Sequence, residues 1–250
     1  TAVSAALKLG YRFFDTAQIY GNASAIGRGV LLSDLPRAEI FISSKIWTSH
    51  RSYDGVMRAF TDIIEQLKTT YLDQLLIHWP ATQGEPMIWQ SQNAGTWRAL
   101  EDLYEQGAVK VIGVSNFLPH HLVPLLARAR IRPMVNQLEL HPGYPQFAAV
   151  NFCFKQNIAV QAWSPLGRGG LTHHPLLIEL GEKYGVSPAL IALRWSLQHG
   201  FIPVVKALDA EHMKSNLDAF GLTLEDEDMT RLDTMQQVAF SGLHPDTVTF

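Results

Sequence analysis

Seven short apolar, β-branched runs alternate along this chain with amphipathic segments at a steady spacing, and that alternation constrains the fold more than any other feature. The runs are "YRFFDTA" from Tyr11, "EIFISSKIW" from Glu39, "LDQLLIHWP" from Leu72, "VKVIGVSNF" from Val109, "MVNQLEL" from Met134, "IAVQAWSPL" from Ile158 and "FIPVVKAL" from Phe201. Between them, Val56, Phe60, Ile63, Ile64 and Leu67 fall on one helical face, as do Trp97, Leu100 and Tyr104 before a stop at Gly107. The stretch "SPALIALRWSLQHG" reads as a helix with Ser187 as N-cap, Pro188 in the first turn and Gly200 past the end. Continuous apolar strands alternating with helices call for a parallel sheet covered by helices.

Two architectures satisfy this order, an open doubly wound sheet and a closed (β/α)₈ barrel. No GxGxxG follows any strand, which removes the strongest sign of a dinucleotide-binding open sheet. The first residues, "TAVSAALKLG", read as the tail of a helix ending at Gly10, with neither an initiator Met nor a signal peptide. A segment is therefore expected before Thr1. The 250 residues are predicted to form a single α/β domain over 1–250, a (β/α)₈ TIM barrel whose first strand lies outside them.

Composition narrows the function classes. The net charge of −3 and the lack of a lysine-arginine run argue against nucleic acid or anionic membrane as the main partner. All apolar runs are strand-sized, so no membrane span is expected. One cysteine, Cys153, allows no internal disulfide and points to a reducing compartment, with a cytoplasmic protein as the expectation.

In a barrel, polar residues at the C-terminal ends of strands build the active face. Asp15, Lys45 and His78 end the first three visible strands, and Tyr20 lies in the loop after Asp15. Each alone has an ordinary structural reading as a turn cap, a solvated cation, a core histidine or a covering aromatic. Together, on consecutive strands, they suit proton delivery to a carbonyl oxygen. An ammonium at ~4 Å favours a phenolate by about 4 kcal/mol, roughly three pKa units, so Lys45 is expected to acidify Tyr20. Asp15 is expected to balance Lys45, and His78 to hydrogen-bond the substrate oxygen.

The motifs "GYRFFDTAQIYGN", "FISSKIW", "LLIHWP", "GVSNF", "NQLELHP" and "SPLGRGG", in this order, resemble those of the aldo-keto reductase family. The likeness runs from Leu7 to Phe250 and is greatest toward the bacterial branch that includes the diketogluconate and methylglyoxal reductases. It implies a (β/α)₈ barrel that reduces aldehydes and ketones with NADPH, with Asp15, Tyr20, Lys45 and His78 as the catalytic tetrad. It further implies Ser115, Asn116 and Gln137 at the nicotinamide carboxamide, Trp163 stacked on the ring, and the "SPLGRGG" loop, including Ser164 and Leu166, along the pyrophosphate. Lys206 resembles the lysine for the adenosine 2′-phosphate. Two positions depart from the family pattern: Ala207 replaces the usual serine, and His212 replaces the usual arginine, with Asn216 retained. NADPH is the expected cofactor, and tolerance of NADH follows from the missing guanidinium fork.

Trp47 and Trp79 match positions that wall the substrate pocket in the family, and "SGLHPDTVTF" matches a C-terminal loop that influences specificity. His120, His121, His173 and His174 read as solvated surface residues without metal-ligand spacing, so no metal is expected. The partner is then a small carbonyl compound, and relatives suggest a monomer. Two other readings stand beside the reductase. One is a nicotinamide-binding regulatory subunit without turnover; the other is a barrel lyase using Lys45 as a Schiff base.

Overall fold

A computed structural model describes residues 1–81 and 88–248. The described chain forms two compact units, the first holding Thr1–Asn136 with the residues from His244 onward, the second Gln137–Leu243.

The first unit alternates helices and strands in the expected order: α1 (Ala2–Lys8), β1 (Phe13–Asp15), α2 (Ala23–Leu31), β2 (Phe41–Ile46), α3 (Tyr53–Leu67), β3 (Leu72–Ile77), α4 (Ile88–Glu105), β4 (Val109–Ser115) and α5 (Pro119–Leu126). The strands pair in parallel, β1 with β2, β2 with β3 and β3 with β4. Strand β5 (Val135–Glu139) begins in this unit and ends in the second, which continues through α6 (Phe147–Lys155), β6 (Ala159–Trp163), α7 (Pro175–Tyr184), α8 (Pro188–Gln198), β7 (Ile202–Val204), α9 (Ala210–Leu217) and α10 (Asp226–Thr234). There β6 and β7 also pair in parallel. All seven strand runs read from the sequence are present.

The helix signals work as their chemistry requires. Ser52 caps α3 by accepting from the Gly55 amide at 3.0 Å, and Val56, Phe60, Ile63 and Leu67 are buried along one stripe. Ser187 caps α8, Pro188 opens it, and Gly200 takes a left-handed φ of 76° beyond its end. On α4, Trp97 is buried and donates its indole N–H to the Ile131 carbonyl at 3.0 Å, so the large ring leaves no polar atom unpaired. Cys153 is buried on α6, where it packs as a small hydrophobe. No helix among the described residues is long and apolar enough to cross a membrane.

Register in the first unit decides which side chains share a face. Asp15 pairs with Ser43, and Ser43 with Gln74; one step further, Lys45 pairs with Leu76. Side chains two residues apart on a strand share a face, so Lys45 lies one layer beyond Asp15. His78, two past Leu76, lies one layer beyond Lys45. Gly113 pairs with Leu76 in the Lys45 layer, where a Cβ would come within 2.5 Å of the Val135 carbonyl oxygen and 2.8 Å of Leu76 Cδ2. Glycine is required there because the neighbouring backbone passes too close for any side chain.

Candidate active site

Asp15 ends β1 among half-buried residues and is held from below by a polar row. Its Oδ1 accepts from Ser43 Oγ at 2.9 Å, and Ser43 Oγ in turn accepts from Gln74 Nε2 at 2.9 Å. The other oxygen pairs with Lys45 Nζ, which also donates to the Thr16 carbonyl at 3.1 Å. Lys45 is fully buried, so Asp15 supplies the counter-charge without which an ammonium would not remain there. That expectation from sequence is met.

Tyr20 closes a single 3₁₀ turn, Gln18–Tyr20, which ends because Gly21 adopts a left-handed φ of 62°. Lys45 Nζ lies 5.4 Å from the Tyr20 ring centre. The Tyr20 and His78 rings meet edge-on with centroids 5.8 Å apart. The structure thus brings Asp15, Tyr20, Lys45 and His78 together in one unit.

The charge environment departs from expectation at Tyr20. Its phenol is pushed up, not down, first by desolvation and then by the negative charge of Asp15. Lys45 spends its charge on Asp15, which leaves little to acidify the phenol. Tyr20 therefore rests as a neutral phenol, the protonated form. Burial and the Lys45 charge drive His78 down to about 3, so its imidazole is neutral throughout the physiological range. His78 Nδ1 has no hydrogen-bond partner among the described residues.

Trp47 packs edge-on against His78, with centroids 5.0 Å apart, and its backbone N–H donates to Gln18 Oε1 at 3.0 Å. Trp79, the other residue expected to wall the pocket, is buried, at 4% exposed.

Ser115 ends β4, Asn116 follows it, and both are buried. Asn116 takes a left-handed φ of 63° and donates to the His78 carbonyl at 3.0 Å and to Ser115 Oγ at 3.1 Å. In the second unit, Gln137 is buried and donates to Gln161 Oε1 at 2.9 Å. Trp163 ends β6 partly buried, and Ser164 follows with a φ of 50°. Gly167, Arg168 and Gly169 are also left-handed, and a Cβ at Gly169 would meet nothing within 4 Å, so this backbone stands open to an approaching anion. The loop fits a pyrophosphate on that ground. Within this loop Leu166 packs its side chain against the Leu190, Leu193 and Ala219 cluster, which anchors the loop. Lys206 and His212 are exposed, and Asn216 lies on α9 with His212. Asp209 caps α9 by accepting from the Glu211 and His212 amides at 2.8 and 3.2 Å, which sets a carboxylate on the helix N-terminus beside these residues.

The histidine reading needs correction. His121 is buried rather than solvated, and a carboxylate from far along the chain, Asp246, lies 2.8 Å from His120 Nε2 and 3.0 Å from His121 Nε2. His120, His121 and Asp246 thus bring three donor atoms within metal-binding distance of one another, which spacing alone did not reveal. His174 caps α7, its Nδ1 accepting from the Leu176 amide. Sequence reasoning also missed Ser43, Gln74 and Gln18, although the i, i+2 pair in "SSK" could have suggested the first. It missed the hold on the C-terminal segment by Glu139, which accepts from the Ser241 amide at 2.9 Å and its hydroxyl at 2.6 Å. The last two residues of "SGLHPDTVTF" lie outside the described residues.

Comparison with known proteins adds an independent finding. Residues 1–237 match the model of the Aldo/keto reductase family. Glyoxal reductase of Bacillus subtilis is 41% identical over 249 residues, covering 100% of this chain and 87% of that protein. The crystal structure of MGS-M4, an aldo-keto reductase from a Medee basin deep-sea metagenome library, superposes with a TM-score of 0.93 at 36% identity, over 100% of this chain and 90% of that one. A Gox0644 mutant in complex with NADPH gives 0.91 at 37% identity, over 100% and 89%.

Proposed function

Because the chain belongs to the aldo/keto reductase family and shares its (β/α)₈ barrel fold, we propose that it reduces aldehydes and ketones to alcohols with NADPH, Tyr20 supplying the proton. The observation that carries this is the grouping of a neutral phenol, a neutral imidazole and a compensated Lys45–Asp15 pair on one face of the first unit.

A reduced nicotinamide, when bound, supplies the hydride to the carbonyl carbon. The chain supplies the rest. Tyr20 holds the transferable proton at its hydroxyl, and the rise in its pKa keeps that proton in place until the carbonyl oxygen gains charge. His78, neutral and buried, orients the oxygen through one ring N–H. Lys45 stabilises negative charge as it appears on the phenol, and Asp15 holds Lys45 in position. Trp47 walls the substrate side beside His78. Trp79, which follows His78 directly, is read as a second wall of that pocket.

The cofactor is assigned to Ser115 and Asn116 in the first unit, and to Gln137, Trp163, the Ser164–Gly170 loop, Lys206, His212 and Asn216 in the second. Lys206 favours NADPH through the 2′-phosphate. Ala207, His212 and the Asp209 carboxylate on the α9 amides weaken that preference, so NADH is accepted as well. Residues 1–250 are read as one domain, because the family match crosses 1–237 without a break. The protein is further read as a cytoplasmic monomer with a small carbonyl partner and neither nucleic acid nor membrane, which its mild charge supports. A Schiff-base role for Lys45 is disfavoured, since Nζ already donates to Asp15 and to the Thr16 carbonyl.

The test is loss of reduced-nicotinamide absorbance with a panel of aldehydes, for the wild type and Tyr20→Phe. Turnover in the variant should fall by about 10² to 10⁴ while cofactor binding survives. Undiminished activity would remove Tyr20 from the role of proton donor. Binding without turnover by the wild type would favour the regulatory alternative.

A further inference from the structure

The His120, His121 and Asp246 cluster has the donor set of a transition-metal site, yet the hydrogen bonds around His121 argue against one. His121 stands in the first turn of α5, and its Nδ1 accepts from the Leu118 backbone N–H at 3.1 Å. This is one arm of a capping box, with the side chain reaching back to the residue before the helix. A neutral imidazole carries one hydrogen, and an acceptor at Nδ1 puts it on Nε2. That Nε2–H faces Asp246 Oδ1 at 3.0 Å, so it has no lone pair for a metal. Burial keeps the ring neutral, pushing it down to about 4.

What this arrangement holds lies on the side of Leu118. Leu118 ends the turn that follows β4, beginning at Ser115. Within that turn Asn116 donates to the His78 carbonyl at 3.0 Å, and the Phe117 carbonyl accepts from Asn136 Nδ2 at 2.8 Å. The His121 ring also packs edge-on against Phe117 and Trp89, with centroids 5.9 and 5.4 Å apart. Asp246, on the C-terminal segment, thus fixes the ring that fixes the turn.

We propose that Asp246 and His121 form a latch by which the C-terminal segment positions the Ser115–Leu118 turn, and through Asn116 the His78 backbone, for cofactor binding. His121 is a positioning residue and Asp246 its anchor. The proposal rests on the reading of Ser115 and Asn116 as cofactor residues. His120 shares the carboxylate, and its side chain is 54% exposed.

Asp246→Ala and Asp246→Asn distinguish the latch from a merely structural contact, because the asparagine Oδ1 still accepts from Nε2–H. Asp246→Ala should raise the NADPH Kd and KM about fivefold, the size expected of a residue that biases a binding element without touching the ligand. Its kcat should change less than twofold, and Asp246→Asn should restore wild-type values. Equal behaviour of Asp246→Ala and wild type, or no rescue by asparagine, would overturn the latch. Two further readouts do not depend on the cofactor: ring ¹⁵N shifts should show His121 protonated at Nε2, and EDTA should leave wild-type Kd unchanged. An Nδ1–H tautomer or sensitivity to EDTA would replace the latch with a metal site. If the wild type binds no NADPH, the functional reading fails, while the tautomer still decides whether the latch exists.

Discussion

Lowering the pH from 7 to 5 should destabilise this protein through two buried histidines. His78 and His121 are 7% and 2% exposed, and both are depressed, from 6.5 to about 3 and about 4 respectively. A folded state that refuses a proton which the unfolded chain accepts is stable above the unfolded pKa and loses that stability as pH falls toward the folded one. The window therefore opens near 6.5 and closes near 3 for His78 and near 4 for His121. At pH 5 the unfolded imidazoles are almost wholly charged and the folded ones are not, which costs about 2 kcal/mol for each. Together they remove about 3 to 4 kcal/mol, a large share of the roughly 5 to 15 kcal/mol that a folded protein has. With a urea slope of about 3 kcal/mol per molar, the midpoint should drop by about 1 M. Equilibrium urea titrations at the two pH values measure this directly. His78→Asn, which removes one group from the linkage, should show about half the wild-type drop whatever its stability at pH 7. Equal wild-type midpoints at pH 5 and 7, or a variant as pH-sensitive as the wild type, would refute the assignment of buried neutral histidines.

Other perturbations test packing and recognition. Lys45→Met leaves Asp15 without its buried counter-ion and should cost about 3 to 5 kcal/mol in thermal or urea unfolding, with much of the loss recovered when Asp15→Asn is added. Gly27→Ala should cost about 1 to 3 kcal/mol, since the new Cβ would stand 2.5 Å from the Leu67 carbonyl oxygen. Gly95→Ala, inside α4 with nothing within 4 Å, should instead stabilise by about 0.5 to 1 kcal/mol. Lys206→Ala should weaken NADPH about tenfold in a fluorescence titration and leave NADH unchanged, the loss of one charge-assisted hydrogen bond worth ~1.5 kcal/mol.

The strand order and the grouping of Asp15, Lys45 and His78 were readable from sequence for one reason. Each sits at the same relative place in a repeating unit, and parallel register turns equal places into one face. Tyr20 was readable as a neighbour, but the direction of its shift was not, because that depends on whether Lys45 spends its charge on Asp15 or on the phenol. The hold of Glu139 on Ser241 joins residues 102 apart, and no local pattern signals such a contact.

The neutrality of the resting site has a chemical consequence on the proposed reading. Asp15 and Lys45 cancel, while Tyr20 and His78 carry no charge, so no net charge faces an uncharged carbonyl on arrival. A preformed phenolate would be the wrong form for giving a proton, so strong acidification of Tyr20 before the substrate binds would be counterproductive. The need for Lys45 arises only when negative charge develops, and there its value is greatest because it is buried and already oriented by Asp15 and Thr16. An ammonium held in place this way favours the charged product of proton transfer more than the starting phenol. Replacing Lys45 should therefore lower kcat more than it raises KM for the carbonyl, whereas a residue that merely binds substrate would do the reverse.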